Sequence, residues 1–239
     1  MRSSGQLNLS IFRAPRFAEG DFRHAASNAD AWAWLGRTPE WPDHRLALWG
    51  EAGCGKTHLL HIWARRTGAV MRTGGALSGL PDIPTVGFAL DEADAVADER
   101  ALLHLLNASG EAGLPVLLAA RAPPARWAVL LPDLASRLRA ITTIGIGAPE
   151  DALLRALLAR LLAERQLRPP QPVQEWLVRR LPRSAAALRD AVERLDAAAL
   201  DQHRNITVPF AARILADVLA PDEISGTDDD PSRDDNALL

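Results

Sequence analysis

Residues 50–57 read Gly50-Glu51-Ala52-Gly53-Cys54-Gly55-Lys56-Thr57, and no other stretch of the chain restricts its fold so tightly. Glycines at this spacing let the backbone curl so that consecutive N–H groups face one point, which suits a phosphate. The apolar run Arg45-Leu46-Ala47-Leu48-Trp49 before it predicts a short buried strand, and Lys56 to Arg66 after it predicts a helix with Leu59, Leu60 and Trp63 on its apolar face. Strand, glycine loop and helix in that order are the parts of a phosphate-binding P-loop. The helix N-terminus adds a favourable dipole, Lys56 reaches the terminal phosphates, and Thr57 ligates Mg²⁺. Composition sharpens this reading. The chain holds 27 lysines and arginines, of which Lys56 is the sole lysine. Where surface cations are arginine, a lysine persists because a compact ammonium is needed and a guanidinium fork does not replace it.

A P-loop needs a carboxylate delivered to its metal by a neighbouring strand. Residues 85–90 predict that strand, and it runs into Asp91-Glu92-Ala93-Asp94. Asp91 would hold Mg²⁺ through its water shell and Glu92 would polarise an attacking water; the plainer reading is an acidic helix start. Further strands are expected at 69–71, 114–120 and 141–146, with a helix over 98–109 between them. This alternation predicts a parallel sheet covered on both faces. From Glu150 onward only helices are expected: a leucine stripe over 151–167, then 173–181, about 183–200, and 208–219 with Thr207 as cap. The expected fold is α/β, a P-loop NTPase with a parallel five-stranded sheet followed by a small all-α lid domain. The expected divisions are an N-terminal segment 1–16, a nucleotide-binding domain 17–148, a lid 149–220 and an acidic tail 221–239.

The net charge is −3, and the stretch after Pro221 carries seven acids against Arg233 alone, so the remaining body is mildly basic. That balance does not make a nucleic-acid binder. No apolar run reaches the ~18 residues of a membrane span, and no long apolar stretch opens the chain, so a cytoplasmic location is the default. A single cysteine excludes an intramolecular disulfide and any multi-cysteine metal site. His58 and His61 share a helix face without a third ligand, and packing is the plainer account of them.

The P-loop, the acidic strand end and the helical lid together resemble an AAA+ ATPase. Closer segments resemble the DnaA/Hda family, and within it the regulatory, Hda-type branch without a DNA-binding domain. They are Ala26-Ser27-Asn28-Ala29-Asp30-Ala31, Thr57-His58-Leu59-Leu60 after the P-loop, residues 119–127, Leu131-Pro132-Asp133-Leu134-Ala135-Ser136-Arg137-Leu138, and Arg204 to Phe210. The resemblance implies ADP or ATP with Mg²⁺ as cofactors, with Gly50, Gly53, Cys54, Gly55, Lys56, Thr57, His58, Asp91 and Arg183 at the nucleotide. It places Arg137 as an arginine finger acting in trans; a surface arginine paired with Asp133, one turn earlier, is the alternative. It makes Gln6, Leu7, Leu9, Ile11 and Phe12 a peptide that docks on the replicative sliding clamp; an edge strand of alternating apolar residues is the alternative. The implied function is negative regulation of replication initiation by stimulating hydrolysis of DnaA-bound ATP. DnaA and the clamp are the implied partners, with no sequence-specific DNA binding, no membrane and a possible homo-oligomer.

Two positions depart from the family pattern. The fourth strand ends Ala119-Ala120-Arg121, without the short polar side chain that orients an attacking water. The lid arginine position falls on Ala186, with Arg183 one turn earlier. Both departures imply weak or absent ATPase activity of the chain itself. A helicase-loader-type ATPase using Glu92 is the competing expectation.

Overall fold

The computed structural model describes residues 17–80 and 85–219. The expected clamp peptide, Gln6 to Phe12, and the acidic tail therefore lie outside the described residues. The central sheet is all parallel, in the order β2-β3-β4-β1-β5, from β1 (Arg45–Trp49), β2 (Val70–Thr73), β3 (Phe88–Asp91), β4 (Val116–Ala120) and β5 (Thr142–Gly145). Parallel strands need crossover connections, and the helices between them cover both faces. On one face α1 (Ala29–Leu35) and α2 (Lys56–Thr67) bury Leu46, Leu48, Leu117 and Ala119 with Trp41 and Trp63. On the other, α3 (Glu99–Glu111) and α4 (Pro132–Ala140) bury Ala47, Phe88, Leu90, Val116 and Leu118. The period-two alternation along each strand thus divides the sheet's side chains between two cores.

Two strand ends follow from backbone geometry rather than propensity. β3 starts at Phe88, three residues later than residues 85–90 predict, because Gly87 holds φ 136°. A Cβ at Gly87 would lie 3.0 Å from the Pro115 carbonyl oxygen. The strand also continues through Asp91, which carries that carboxylate to the sheet's carboxyl edge.

After β5 the chain is helical: α5 (Asp151–Glu164), α6 (Gln171–Arg180), α7 (Ala185–Gln202) and α8 (Val208–Ile214). Their apolar stripes close into one core around Leu154, Leu158, Leu177, Leu188, Val192 and Phe210. Ser184 caps α7 by accepting from the Ala187 amide at 3.0 Å, and Thr207 caps α8. α8 ends at Ile214 and passes into turns, shorter than the 208–219 expected from its apolar pattern. A hinge joins this bundle to the sheet domain. The Ser27 amide and hydroxyl donate to the Glu150 carboxylate at 2.7 and 3.0 Å, across 123 residues of sequence. No helix among the described residues is long and apolar enough to cross a membrane.

Candidate nucleotide site and the exposed arginine

The P-loop leaves β1, which lies between β4 and β5, and β3 ends on the far side of β4. Carboxyl ends of parallel strands are where α/β sheets bind ligands. Gly50, Gly53 and Gly55 all hold positive φ, at 154°, 79° and 111°, values that favour glycine. Lys56 opens α2 with 9 % exposure. Its ammonium donates to the carbonyls of Gly50 at 2.7 Å and Glu51 at 2.8 Å and lies 3.7 Å from the Cys54 Sγ. The Thr57 hydroxyl donates to Asp91 Oδ2 at 2.6 Å. Two residues 34 apart in sequence, both expected at Mg²⁺, therefore share one hydrogen bond. Glu92 is exposed beside them in the left-handed region, φ 51°.

These residues fit the phosphates of a nucleotide with Mg²⁺. A hydroxyl and one carboxylate are hard oxygen donors, and Mg²⁺ is commonly held by one or two carboxylates plus substrate phosphates. Among the described residues there is no cluster of three or more His, Cys, Asp or Glu suited to a metal. An all-protein metal cage is not the chemistry on offer.

The lid closes directly on the P-loop. The Ala185 amide donates to the Gly53 carbonyl at 3.3 Å, and a Cβ at Gly53 would collide with the Ser184 side chain. Arg183, expected at the nucleotide, is exposed and engaged beside the start of α5. It pairs with Asp151 at 2.7 Å and donates to the Pro149 carbonyl at 2.9 Å, because it precedes the cap and leaves the helix on the α5 side. Arg189 is a further arginine of the lid, on α7. It lies one turn beyond Ala185 on the same helix face, is half-buried, and makes no hydrogen bond or ion pair among the described residues. Helical side chains lean toward the N-terminus, so this arginine extends toward the end of α7 that rests on Gly53. Counting forward from the Ser184 cap finds it.

His58, expected at the nucleotide, packs against residues 17–22. Its Nε2 contacts the Ala18 carbonyl at 2.9 Å, and its ring meets Phe17 and Phe22 edge-on, while Phe17 stacks on His61 at 4.4 Å. Burial pushes both imidazole pKa values down; for His58 the nearby Arg160 and Arg189 add to this, while the Ala18 carbonyl and Asp21 oppose it, and for His61 Arg65 lowers and Asp91 raises. The unfolded histidine takes its proton near pH 6.5 and the folded one only at lower pH. This stabilisation is therefore complete above about pH 6.5 and is lost as pH falls below it. The thermal midpoint is expected to drop between about pH 7.5 and 5.5, and the His58→Gln, His61→Gln double variant, which cannot titrate, should flatten that drop. An unchanged slope in thermal melts would contradict the assignment.

Arg137 sits on α4, exposed, and makes no hydrogen bond or ion pair among the described residues. The pairing with Asp133 that would have made it an ordinary surface residue does not form. Its neighbour at the base of α4 is another cation, since the charge of Arg137 helps depress the pKa of buried Arg45, after desolvation. β4 ends in Ala119 and Ala120, both buried and apolar, so no short polar side chain stands between the P-loop and the Asp91 strand.

Comparison with known proteins agrees with this architecture. Residues 151–215 match the family model described as Hda, lid domain. An uncharacterized protein of Haemophilus influenzae is 29 % identical over 186 residues, covering 70 % of this chain and 80 % of that protein. Among solved structures, domain III of the Thermotoga maritima replication initiation protein DnaA superposes with a TM-score of 0.70 at 16 % identity, covering 87 % of this chain and 99 % of that one. AMPPCP-bound DnaA from Aquifex aeolicus gives a TM-score of 0.62 at 15 % identity, covering 80 % and 68 %. The lid thus matches the Hda lid domain, and the sheet domain and lid together share the fold of DnaA domain III.

Proposed function

We propose that the chain is a regulator of replication initiation that presents Arg137 to ATP held by DnaA and so accelerates its hydrolysis. The observation that supports this best is the state of Arg137: an exposed guanidinium, unpaired among the described residues, on a helix whose sequence, Leu131 to Leu138, resembles the finger-bearing segment of the family. A guanidinium supplied from outside neutralises charge that develops on a transferring phosphoryl group. The chain's own nucleotide, ADP or ATP with Mg²⁺, would be held by the P-loop amides, Lys56, Thr57 and Asp91, with Arg189 as the lid cation. Bound nucleotide would bring charge that the lid arginine can pair with, and so brace the lid against the sheet domain. Glu92 is the carboxylate available to polarise water if that nucleotide is turned over. With alanines at the end of β4, turnover by the chain itself should be slow.

Gln6, Leu7, Leu9, Ile11 and Phe12 would tether the chain to the DNA-loaded sliding clamp by placing apolar side chains in a preformed groove. Reconstitution separates this function from a self-sufficient, helicase-loader-type ATPase. ATP hydrolysis is measured for the chain alone, for DnaA alone, and for both with clamp-loaded DNA. Stimulation of DnaA that requires the clamp and is lost in the Gln6→Ala, Leu7→Ala variant is the expected outcome. Strong hydrolysis by the chain alone, indifferent to DnaA, would overturn the reading.

A further inference from the structure

The segment between β4 and α4 alternates in its burial. Trp127, Val129 and Leu131 turn inward against the α3–α4 core, while Ala128 and Leu130 turn out. A polar residue is the ordinary choice at such an outward position. Leu130 stands there with 91 % of its surface exposed, more than Leu80, Val86 or Leu200, the other exposed large apolar residues among those described. Isolated surface leucines are common and need no function. What distinguishes this one is how it is held.

The Glu99 carboxylate, in the first turn of α3, accepts from two successive amides: Leu130 at 2.7 Å through Oε1 and Leu131 at 2.8 Å through Oε2. Leu131 is the N-cap of α4 and has no side-chain cap of its own, with Pro132 next. Glu99 thus supplies from another helix an acceptor for the N-cap amide, the part that an N3 side chain plays in a capping box. The same stretch is tied once more at its other end, where Asp94 accepts from the Arg121 amide at 2.9 Å. Beneath the segment lies a cleft of about 290 Å³ lined by Trp127, Val129, Leu102 and Glu99. The paired hydrogen bonds thus add to the inward packing of Trp127, Val129 and Leu131 in holding the loop.

Exposed arginines lie on this loop–helix unit. Arg126, Arg137 and Arg139 make no hydrogen bond or ion pair among the described residues, and Asp133 is the sole acid on α4. About 9 Å of helix rise separates the Leu131 cap from Arg137, well within the footprint of one protein interface.

We infer that Leu130, held outward by Glu99, is the apolar anchor of the surface that meets an ATP-bearing P-loop subunit, on the same loop–helix unit that delivers Arg137. The inference rests on the trans-finger reading above for its partner. An anionic triphosphate site is the complement of the arginines, and an apolar side chain at the rim excludes water from the contact, where desolvated charge acts most strongly. Glu99 is a positioning residue: it touches no reacting atom and sets where Leu130 and the start of α4 lie.

The test is a titration of the full chain against ATP-bound DnaA on clamp-loaded DNA, with association also followed by sedimentation velocity. Leu130→Asp should raise the half-saturating concentration at least about 10-fold while leaving the rate at saturation within about two-fold. Glu99→Ala should raise the half-saturating concentration and also lower the saturating rate, because the start of α4 is released; Glu99→Gln, which keeps one acceptor, should recover part of both. Arg137→Ala should do the reverse of Leu130→Asp, lowering the rate and sparing half-saturation. If Arg137→Ala leaves the rate intact, the finger reading fails, yet sedimentation with Leu130→Asp still reports on this surface. Unchanged half-saturation and unchanged association for Leu130→Asp would overturn the inference. So would a Leu130→Asp effect confined to self-association of the chain, which would assign the anchor to a second copy.

Discussion

Replacing Arg137 by alanine should reduce stimulation of DnaA-bound ATP hydrolysis by at least about 10³-fold, the lower range for an arginine finger supplied in trans. The size follows from chemistry confined to the transition state. As the bond to the leaving oxygen loosens, negative charge spreads over oxygens that a guanidinium can contact through several N–H donors at once. A ground-state contact would weaken binding instead, so the loss should fall on the rate at saturation rather than on the concentration required. Arg137 is exposed and makes no hydrogen bond or ion pair among the described residues. Stability should therefore change by no more than about 0.5 kcal/mol, and ADP affinity should be unaffected. Arg137→Lys should restore little, because a point charge on a flexible stem does not reproduce the planar fork. Single-turnover hydrolysis of labelled ATP pre-bound to DnaA measures the loss, and a variant within ten-fold of the parent would contradict it.

The second large effect belongs to Lys56. Its ammonium is buried and satisfies the carbonyls of Gly50 and Glu51, so it shapes the loop as well as offering charge. Lys56→Ala should weaken ADP binding about 100-fold, the upper worth of hydrogen bonds to a charged group. It should also leave two loop carbonyls without their donor, at a cost of about 1–3 kcal/mol in stability. The two consequences are separable: titration with a fluorescent ADP analogue reads the first, and thermal unfolding without nucleotide reads the second. Lys56→Arg restores a cation but places a wider, planar group in a space shaped by Cys54 and two carbonyls, so neither property should return fully. Unaltered ADP affinity in Lys56→Ala would remove the P-loop from the nucleotide site.

The features legible in the sequence are those set by neighbours along the chain. The glycine loop, the strand before it, the helix after it and the leucine stripes of the lid each encode their structure within a few residues. Asp91 was legible because strand and acid adjoin, and the structure sets it 2.6 Å from Thr57. Contacts across long separations were not legible. Glu99 reads as an ordinary acid in a helix's first turn, favoured there by the dipole, until the amides it holds 31 and 32 residues later come into place. Ser27 and Glu150 meet across 123 residues to make the hinge, with nothing local in either to announce it. Arg183 and Arg189 flank Ala186 by one turn each, and helix periodicity alone treats them alike. The contacts of Arg183 with Asp151 and Pro149 are what that periodicity does not show. His58 reads as part of the glycine-loop helix and turns out to grip the backbone at Ala18, because a helix presents successive residues to different neighbours.

One measurement bears most directly on the claim that Arg137 acts on another molecule's nucleotide. It is the structure of this chain bound to DnaA with ADP and aluminium fluoride, a mimic of the transferring phosphoryl group, in the DnaA site. The account predicts the Arg137 guanidinium within hydrogen-bonding distance of the fluoride ligands. A guanidinium turned away from them, or paired with a carboxylate of its own chain while the complex is intact, would contradict it.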